Sequence, residues 1–295
     1  MSDVIEAVEV VSYGSAAGEA LAKAVARAKA GRALAPVTVV VPSHLAGLSA
    51  RRRLGSDGGV ANVSFLTARD LAGRLAGDLA LDRPPLSGAR VGAAVRATLR
   101  ADPGPFAAVR DHAATEAAVT GLHLELAELD GATLDALEER GGANTRAAVA
   151  LHRAILARLA GYHDEASAAV AAVKRPDLAE RTESLGHIVW HLPQPMPSSA
   201  LAVLTALLAV RPSTVVVGAT GSPAADAAVI DTCVRAGVAV PDPLTASPPP
   251  AASSIVSVTD ADEEVRAVVR KIMELAEHGV PFHRIGVFHP TPNPY

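Results

Sequence analysis

The first residues whose types and spacing could do chemistry form the turn Tyr13-Gly-Ser-Ala-Ala-Gly-Glu-Ala20. It follows an apolar segment, residues 7–12, that reads as a strand, and it leads into a helical pattern over residues 19–29. In an α/β protein this is where phosphate binds, because free amides and the helix dipole point into the turn. A phosphate loop needs G-x-x-x-x-G-K-[ST]. Here the spacing between Gly14 and Gly18 is one residue short. Glu19 stands where the phosphate lysine belongs, and Ala20 replaces the hydroxyl that holds magnesium. A carboxylate at that place repels a triphosphate. Lysine occurs only at Lys23, Lys29, Lys174 and Lys271, none of them in a Gly-Lys-Ser/Thr context, so no other stretch supplies the loop. An NTPase also needs a carboxylate after a buried strand to hold its metal and poise water. The strand expected at 188–192 runs instead into Pro193-Gln-Pro-Met-Pro, with no Asp or Glu before Asp226. Gly14, Gly18, Glu19 and Ala20 are therefore degenerate phosphate-loop positions, and no cofactor is expected there.

Three other constellations bear on chemistry. Gly218-Ala-Thr-Gly-Ser-Pro after a strand is similar to part of a dinucleotide fingerprint, with Ala224 in place of its third glycine. It carries an alternative reading, a nucleotide (NAD(P))-binding Rossmann-type oxidoreductase domain, which expects a dehydrogenase-like strand order. Against it, the fingerprint normally opens the fold, and this one comes late. His187 and His191 share a strand face but stand about 13 Å apart along it, too far for one metal. His278, His283 and His289 have no carboxylate in obvious register. No metal is expected, and no G-x-S-x-G nucleophile pattern occurs. The turn Pro42-Ser-His44, with Arg51-Arg-Arg53 along the following helix, offers a hydroxyl, an imidazole and three guanidiniums. Ser43, His44, Arg51, Arg52 and Arg53 are thus candidates for DNA phosphate contact without base reading. The plainer reading is a solvated helix end whose arginines complement the dipole.

Strand and helix signals alternate around these positions. Val37-Thr-Val-Val-Val is a continuous β-branched run, as in a parallel strand buried on both faces, and Pro42 ends it. A helix is expected through Leu54, a strand at 62–66, and a helix at 67–76 that Thr67 and Asp70 cap. Gly31 is the expected cap of the first helix. From 86 to 181 only helical patterns occur (88–100, 114–126, 133–140, 145–160 and 164–173), which reads as an all-helical insertion. Strands return at 187–192 and 213–217, each followed by a helix. A Pro-rich linker spans 241–253. A last unit, 254–295, reads as strand, amphipathic helix and strand, with Thr259 and Asp262 resembling a capping box. One β-α-β unit cannot bury both faces of its sheet, so the chain is expected to stop inside a domain of a longer protein. The domains expected are 1–85 with 182–240, the insertion 86–181, the linker 241–253, and the start of a second α/β domain.

The composition fits this division. The 295 residues suffice for one large domain or two smaller ones. At 49% apolar and 20% charged, a real core is expected. The formal net charge of −4 carries no polyanion footprint, although a local basic groove remains compatible with it. Only four of the 27 basic residues are lysine, a bias that a GC-rich genome writes. Cys233 is the one cysteine, which excludes a disulfide framework and a thiolate zinc site. The acidic start lacks signal-peptide order, and no apolar run reaches ~18 residues. No membrane partner and a cytoplasmic location are expected.

Several stretches in this order resemble the N-terminal, inactivated superfamily I helicase-like region of AddB-type proteins of the PD-(D/E)XK nuclease family, relatives of RecB and UvrD. Glu9-Val-Val-Ser-Tyr-Gly-Ser-Ala-Ala-Gly-Glu-Ala-Leu looks like the family's decayed first motif. Val37-Thr-Val-Val-Val-Pro-Ser-His-Leu-Ala-Gly-Leu is similar to its second strand and turn, and Asn62-Val-Ser-Phe-Leu-Thr-Ala-Arg-Asp-Leu-Ala to the element after that. Tyr162-His-Asp-Glu resembles a turn of the helical insertion. His187-Ile-Val-Trp-His-Leu-Pro-Gln resembles the strand at the former metal-binding motif. Val258-Thr-Asp-Ala-Asp-Glu-Glu-Val-Arg resembles the opening of the second motor domain, and Ile285-Gly-Val-Phe-His with Pro294-Tyr295 the next strand and turn of that domain. The resemblance implies a degenerate RecA-like parallel sheet with a helical insertion, in a protein of double-strand-break repair by recombination. It implies DNA and a helicase–nuclease partner subunit as partners. It brings no catalytic residue to these positions, since the family's nuclease lies in a C-terminal part and no Asp…Glu-x-Lys pattern occurs here.

Overall fold

Valine- and isoleucine-rich segments build the sheet. In the computed structural model, β1 (Ile5–Ser12), β2 (Val37–Val40), β3 (Val63–Leu66), β4 (His187–His191) and β5 (Ser213–Ala219) pair in the order β1-β5-β4-β2-β3. Every pairing is parallel, so the fold is α/β. The structure describes residues 4–56, 59–76, 83–241 and 254–289. The chain divides into two compact units, Met1–Ser247 and Pro248–Tyr295.

The strand period of two sorts the core into two layers. Val37 and Val39 of β2, Val189 of β4 and Val216 of β5 face α1 (Ser15–Lys29) and α2 (His44–Ser56). Val40, Ile188, Trp190, Val215 and Val217 face the other way, onto α3 (Ala68–Ala76), α10 (Ser198–Val210) and α11 (Pro223–Arg235). Right-handed crossovers require this division, because the connections after β1 and β2 run one way across the sheet and that after β4 runs back. β2, β4 and β5 are buried along their whole length, as the β-branched run of β2 leads one to expect. Burying one such side chain contributes about 1.5–3 kcal/mol.

The first helix ends at Lys29 as expected but starts earlier, at Ser15, and its cap is Ala30 rather than Gly31. Ala30 takes the left-handed conformation (φ 45°), with Gly31 after it at φ 77°. Beside that turn Lys29 is buried. Its three ammonium protons go to the carbonyls of Ala33 (2.9 Å), Ala35 (2.8 Å) and Ala61 (2.7 Å), and burial lowers its pKa. A lysine that uses all three donors this way staples the β2 approach to the β3 approach.

The helices between β3 and β4 pack in two places. α4 (Gly88–Ala101), α5 (Ala113–Leu126), α6 (Gly131–Arg140) and α7 (Ala143–Leu159) form a bundle, and Val91, Val95, Leu99, Val119, Ile155 and Leu159 make a core without any sheet residue. α8 (Glu165–Val173) and α9 (Leu178–Arg181) instead put Ala169, Ala172 and Leu178 into the sheet's own layer, with Ile188 and Leu204.

The second unit departs from the sequence reading. α12 (Ala261–Glu277) forms as expected, but its cap is Asp260, whose Oδ1 accepts the Glu263 N–H at 2.8 Å, and not Thr259. The strands expected at 254–258 and 284–289 are absent from the described residues. A strand exists through its ladder, and neither segment has one. Ile255 and Phe288 are 99% and 96% exposed. The linker expected at 241–253 lies outside the described residues except for Pro241, as does the turn expected after His289.

Candidate functional site

In open α/β sheets, ligands bind outside the carboxyl ends of the strands where the connections diverge. Here the connections part between β2 and β4, and a cleft of about 330 Å³ opens at that point. Its floor is apolar, with Val41, Pro42, Ala72 and Met196; Thr67, Arg69, Glu128, Gln194 and Ser199 bring the polar groups. Among the described residues no helix is long and apolar enough to cross a membrane.

The turn that resembles a phosphate loop lies at the sheet's β1 edge. Gly14 sits at φ 90°, α1 starts at once at Ser15, and the Gly18 N–H donates to the Gly14 carbonyl at 3.2 Å. Ala20 is buried in the layer under α1. No loop is left over to wrap a phosphate. Tyr13 lies instead across β5: a Cβ on Gly218 would come within 2.5 Å of its ring, and its hydroxyl accepts from Gln194 Nε2 at 3.2 Å. Gly218 is thus the close-approach glycine that lets the aromatic ring lie on the strand.

The five phosphate-contact candidates do not converge. Ser43 Oγ accepts the Ala46 N–H at 3.1 Å and so starts α2. Consecutive helical residues point 100° apart, which splays the three arginines. Arg51 shares a groove of about 390 Å³ with His44, one heptad earlier, and with Arg74 of α3, along Val63 and Ser64 of edge strand β3. Arg53 turns toward α1, where a Cβ on Gly18 would meet its side chain at 3.4 Å. Arg52 is exposed. Behind the groove, His44 Nδ1 lies 3.8 Å from Asp70 Oδ2. Asp70 closes the capping box that the sequence predicts, accepting from the Thr67 N–H and hydroxyl, both at 2.8 Å. Burial raises the Asp70 pKa, but the Thr67 bonds, helped by His44 and Arg74, hold it below the usual carboxylate value. Arg74 is the member of this set that sequence reasoning missed; it stands in the last turn of α3 and reaches the groove beside β3, a placement that only the tertiary packing decides.

The Gly218–Gly221 turn is already occupied. Asp226, itself buried, accepts from the Thr220 N–H and Oγ (both 2.8 Å) and from the Gly221 N–H (3.0 Å). These are the amides a pyrophosphate would need. β1 also stands at a sheet edge, unlike the dehydrogenase order 3-2-1-4-5-6. Two observations therefore stand against the dinucleotide alternative.

Four histidines are buried. His187 Nε2 meets Thr214 Oγ at 3.0 Å, and His191 Nδ1 has no partner. His123 of α5 and His152 of α7 are not among the candidates that the sequence suggests. They sit with ring centroids 4.8 Å apart, and neither Nδ1 has a partner. Their position among apolar residues at helical spacing, such as Val149 and Ile155 around His152, was the available signal. Desolvation lowers the pKa of all four, to about 4 for His123 and His191. Among the described residues no group of three or more His, Cys, Asp or Glu could hold a metal. Cys233, on the sheet-facing side of α11, is buried in the core, and burial pushes its thiol up to about 12. A maleimide or disulfide reagent near neutral pH is expected to leave it unmodified in the native chain; rapid stoichiometric labelling would contradict this packing.

No protein-family model matches the chain, and no curated protein matches it.

Proposed function

We propose that this chain is a catalytically silent, helicase-like module of a DNA-repair nuclease, acting in DNA scaffolding and partner assembly at double-strand ends. The observation that carries the reading is the groove beside β3, where His44, Arg51 and Arg74 gather donors suited to phosphate without a base-reading element. Two further features support it. A parallel sheet interrupted once, between β3 and β4, by a helical body is what the helicase-like resemblance implies. The first turn carries Glu19 and Ala20 where a motor needs lysine and a hydroxyl. Such a module leaves the motor to a partner subunit and contributes shape and phosphate contacts.

Fluorescence anisotropy with a labelled single-stranded oligonucleotide tests this. Binding at low salt is expected, weakening as salt rises. The double variant Arg51→Ala/Arg74→Ala is expected to bind about tenfold or more weakly, with a salt slope shallower by about 2. A double variant that binds like the parent sinks the groove. ATP hydrolysis stimulated by the oligonucleotide sinks the claim that the module is silent.

A further inference from the structure

The bundle α4–α7 owes its core to none of the sheet's residues. Its two described crossings to the rest of the fold are zipped into one neck. His163 N–H donates to the Pro84 carbonyl (3.1 Å), and the Leu86 N–H donates to the His163 carbonyl (2.8 Å). Pro85 and His163 form an isolated parallel bridge, and His163 Nδ1 lies 2.6 Å from the Arg83 carbonyl oxygen. A body with its own core, joined through one paired neck, has the anatomy of a hinged element.

Glu128, between α5 and α6, gives this body a second hold on the sheet unit. Its Oε2 accepts the Ser199 N–H at 3.0 Å and its Oε1 accepts the Ser199 hydroxyl at 3.2 Å. α10 receives no side-chain cap from its own preceding residue, Pro197. The carboxylate that satisfies its first turn therefore arrives 71 residues away in sequence, where the helix dipole also favours it. The same Glu128 lines the cleft between β2 and β4, together with Thr67 and Arg69.

We propose that α4–α7 form a lid, hinged at the Pro84–Leu86/His163 neck and latched by Glu128 on Ser199, which closes the cleft at the carboxyl ends of β2 and β4. Whatever occupies the cleft, access to it follows the latch. A ligand that competes for the Ser199 N–H opens the lid.

The test uses the full chain with spin labels at Lys23→Cys on α1 and Arg140→Cys on α6, both exposed positions. The buried Cys233 stays unlabelled. Pulsed dipolar spectroscopy is expected to give one narrow distance distribution in the latched parent. Glu128→Ala and Glu128→Lys are expected to broaden it or add a second population, and Ser199→Ala, which removes one of the two bonds, to do so less. The Ser199 amide is expected to exchange on the order of tenfold faster in both Glu128 variants. An unchanged distance distribution overturns the lid, even where the Ser199 amide exchanges faster, because Glu128 is then only a cap. Global unfolding of the Glu128 variants overturns it as well, since releasing a latch separates two bodies without melting either.

Discussion

Acidification from pH 6.5 to about 4 is expected to remove ~5–6 kcal/mol of folding stability through His191 and His123 together. Both rings are neutral in the fold because burial penalises the imidazolium, and their pKa falls from 6.5 to about 4. The unfolded chain protonates them near 6.5. Below that value the unfolded state therefore holds protons that the folded state refuses, and stability drops until the folded pKa is reached. Well above 6.5 both states are neutral and nothing is lost. Each ring accounts for about 3 kcal/mol, since one pKa unit is worth ~1.4 kcal/mol. His152 and His187 are shifted in the same direction and steepen the loss. The neighbouring charges do not reverse it. Asp164 pulls His123 up and Glu6 pulls His187 up, while Arg153 lowers His152 and Arg27 and Arg211 lower His187, and desolvation dominates each. The lowered carboxylates Asp70, Asp130 and Asp177 act in a different window, because their contribution is lost only below the unfolded value of 3.8. Urea unfolding at a series of pH values measures the slope, and His191→Phe should remove nearly half of it. A full slope in that variant would show that His191 is not the neutral buried group assigned here. With a total stability of about 5–15 kcal/mol usual for a domain, the native chain is expected to lie close to its transition near pH 4.

The sheet was legible because burial on two faces leaves a strong mark. Runs such as Val37–Val40 and Ser213–Ala219 have no polar period, as a parallel central strand requires. The segments 254–258 and 284–289 carry the same local mark and form no strand, since propensity describes a segment and pairing needs a second one. The candidate site was legible as residue types and not as an arrangement. Arg51, Arg52 and Arg53 read as one basic cluster along the chain. Helical rotation sends Arg51 to β3 and Arg53 to α1, while Arg74, from another helix, completes the groove. Turn glycines are ambiguous for a related reason. Gly218 looks like a phosphate glycine, yet the ring of Tyr13, some two hundred positions earlier, is what needs the space. The nearby amides are taken by Asp226, and no local pattern announces that a carboxylate five residues on will fold back. Sequence reading finds which groups exist; close approaches between distant segments decide which remain free.

Gly186→Ala is expected to cost the sheet unit at least ~4 kcal/mol, and in a chain of ordinary stability to leave little of it folded near 37 °C. Gly186 enters β4 at φ 66° and ψ −139°, a region essentially closed to residues with a side chain. An added Cβ would also lie 1.9 Å from the Pro36 carbonyl oxygen and 2.5 Å from its carbon. That neighbour is backbone and cannot rotate away. It is also in use, since the Pro36 carbonyl accepts the His187 N–H at 3.3 Å, just before the Val37–His187 pair that sets β2 against β4. Thr38 Oγ donates to the Leu185 carbonyl at 2.8 Å and Arg211 Nε to that of Gly186 at 3.3 Å, so the turn is pinned from β2 and from the segment that leads into β5. Relief of the clash must move β4 away from β2, and with it the Gln194 segment that lines the cleft at their carboxyl ends. Gly14→Ala is the matched control. Gly14 also has positive φ, 90°, but a Cβ there meets nothing within 4 Å, so only backbone strain of about 1–2 kcal/mol applies. Urea unfolding of the two variants separates the terms. Equal losses would mean that β4 shifts without penalty and that the β2–β4 junction is not the rigid seam on which the cleft is built.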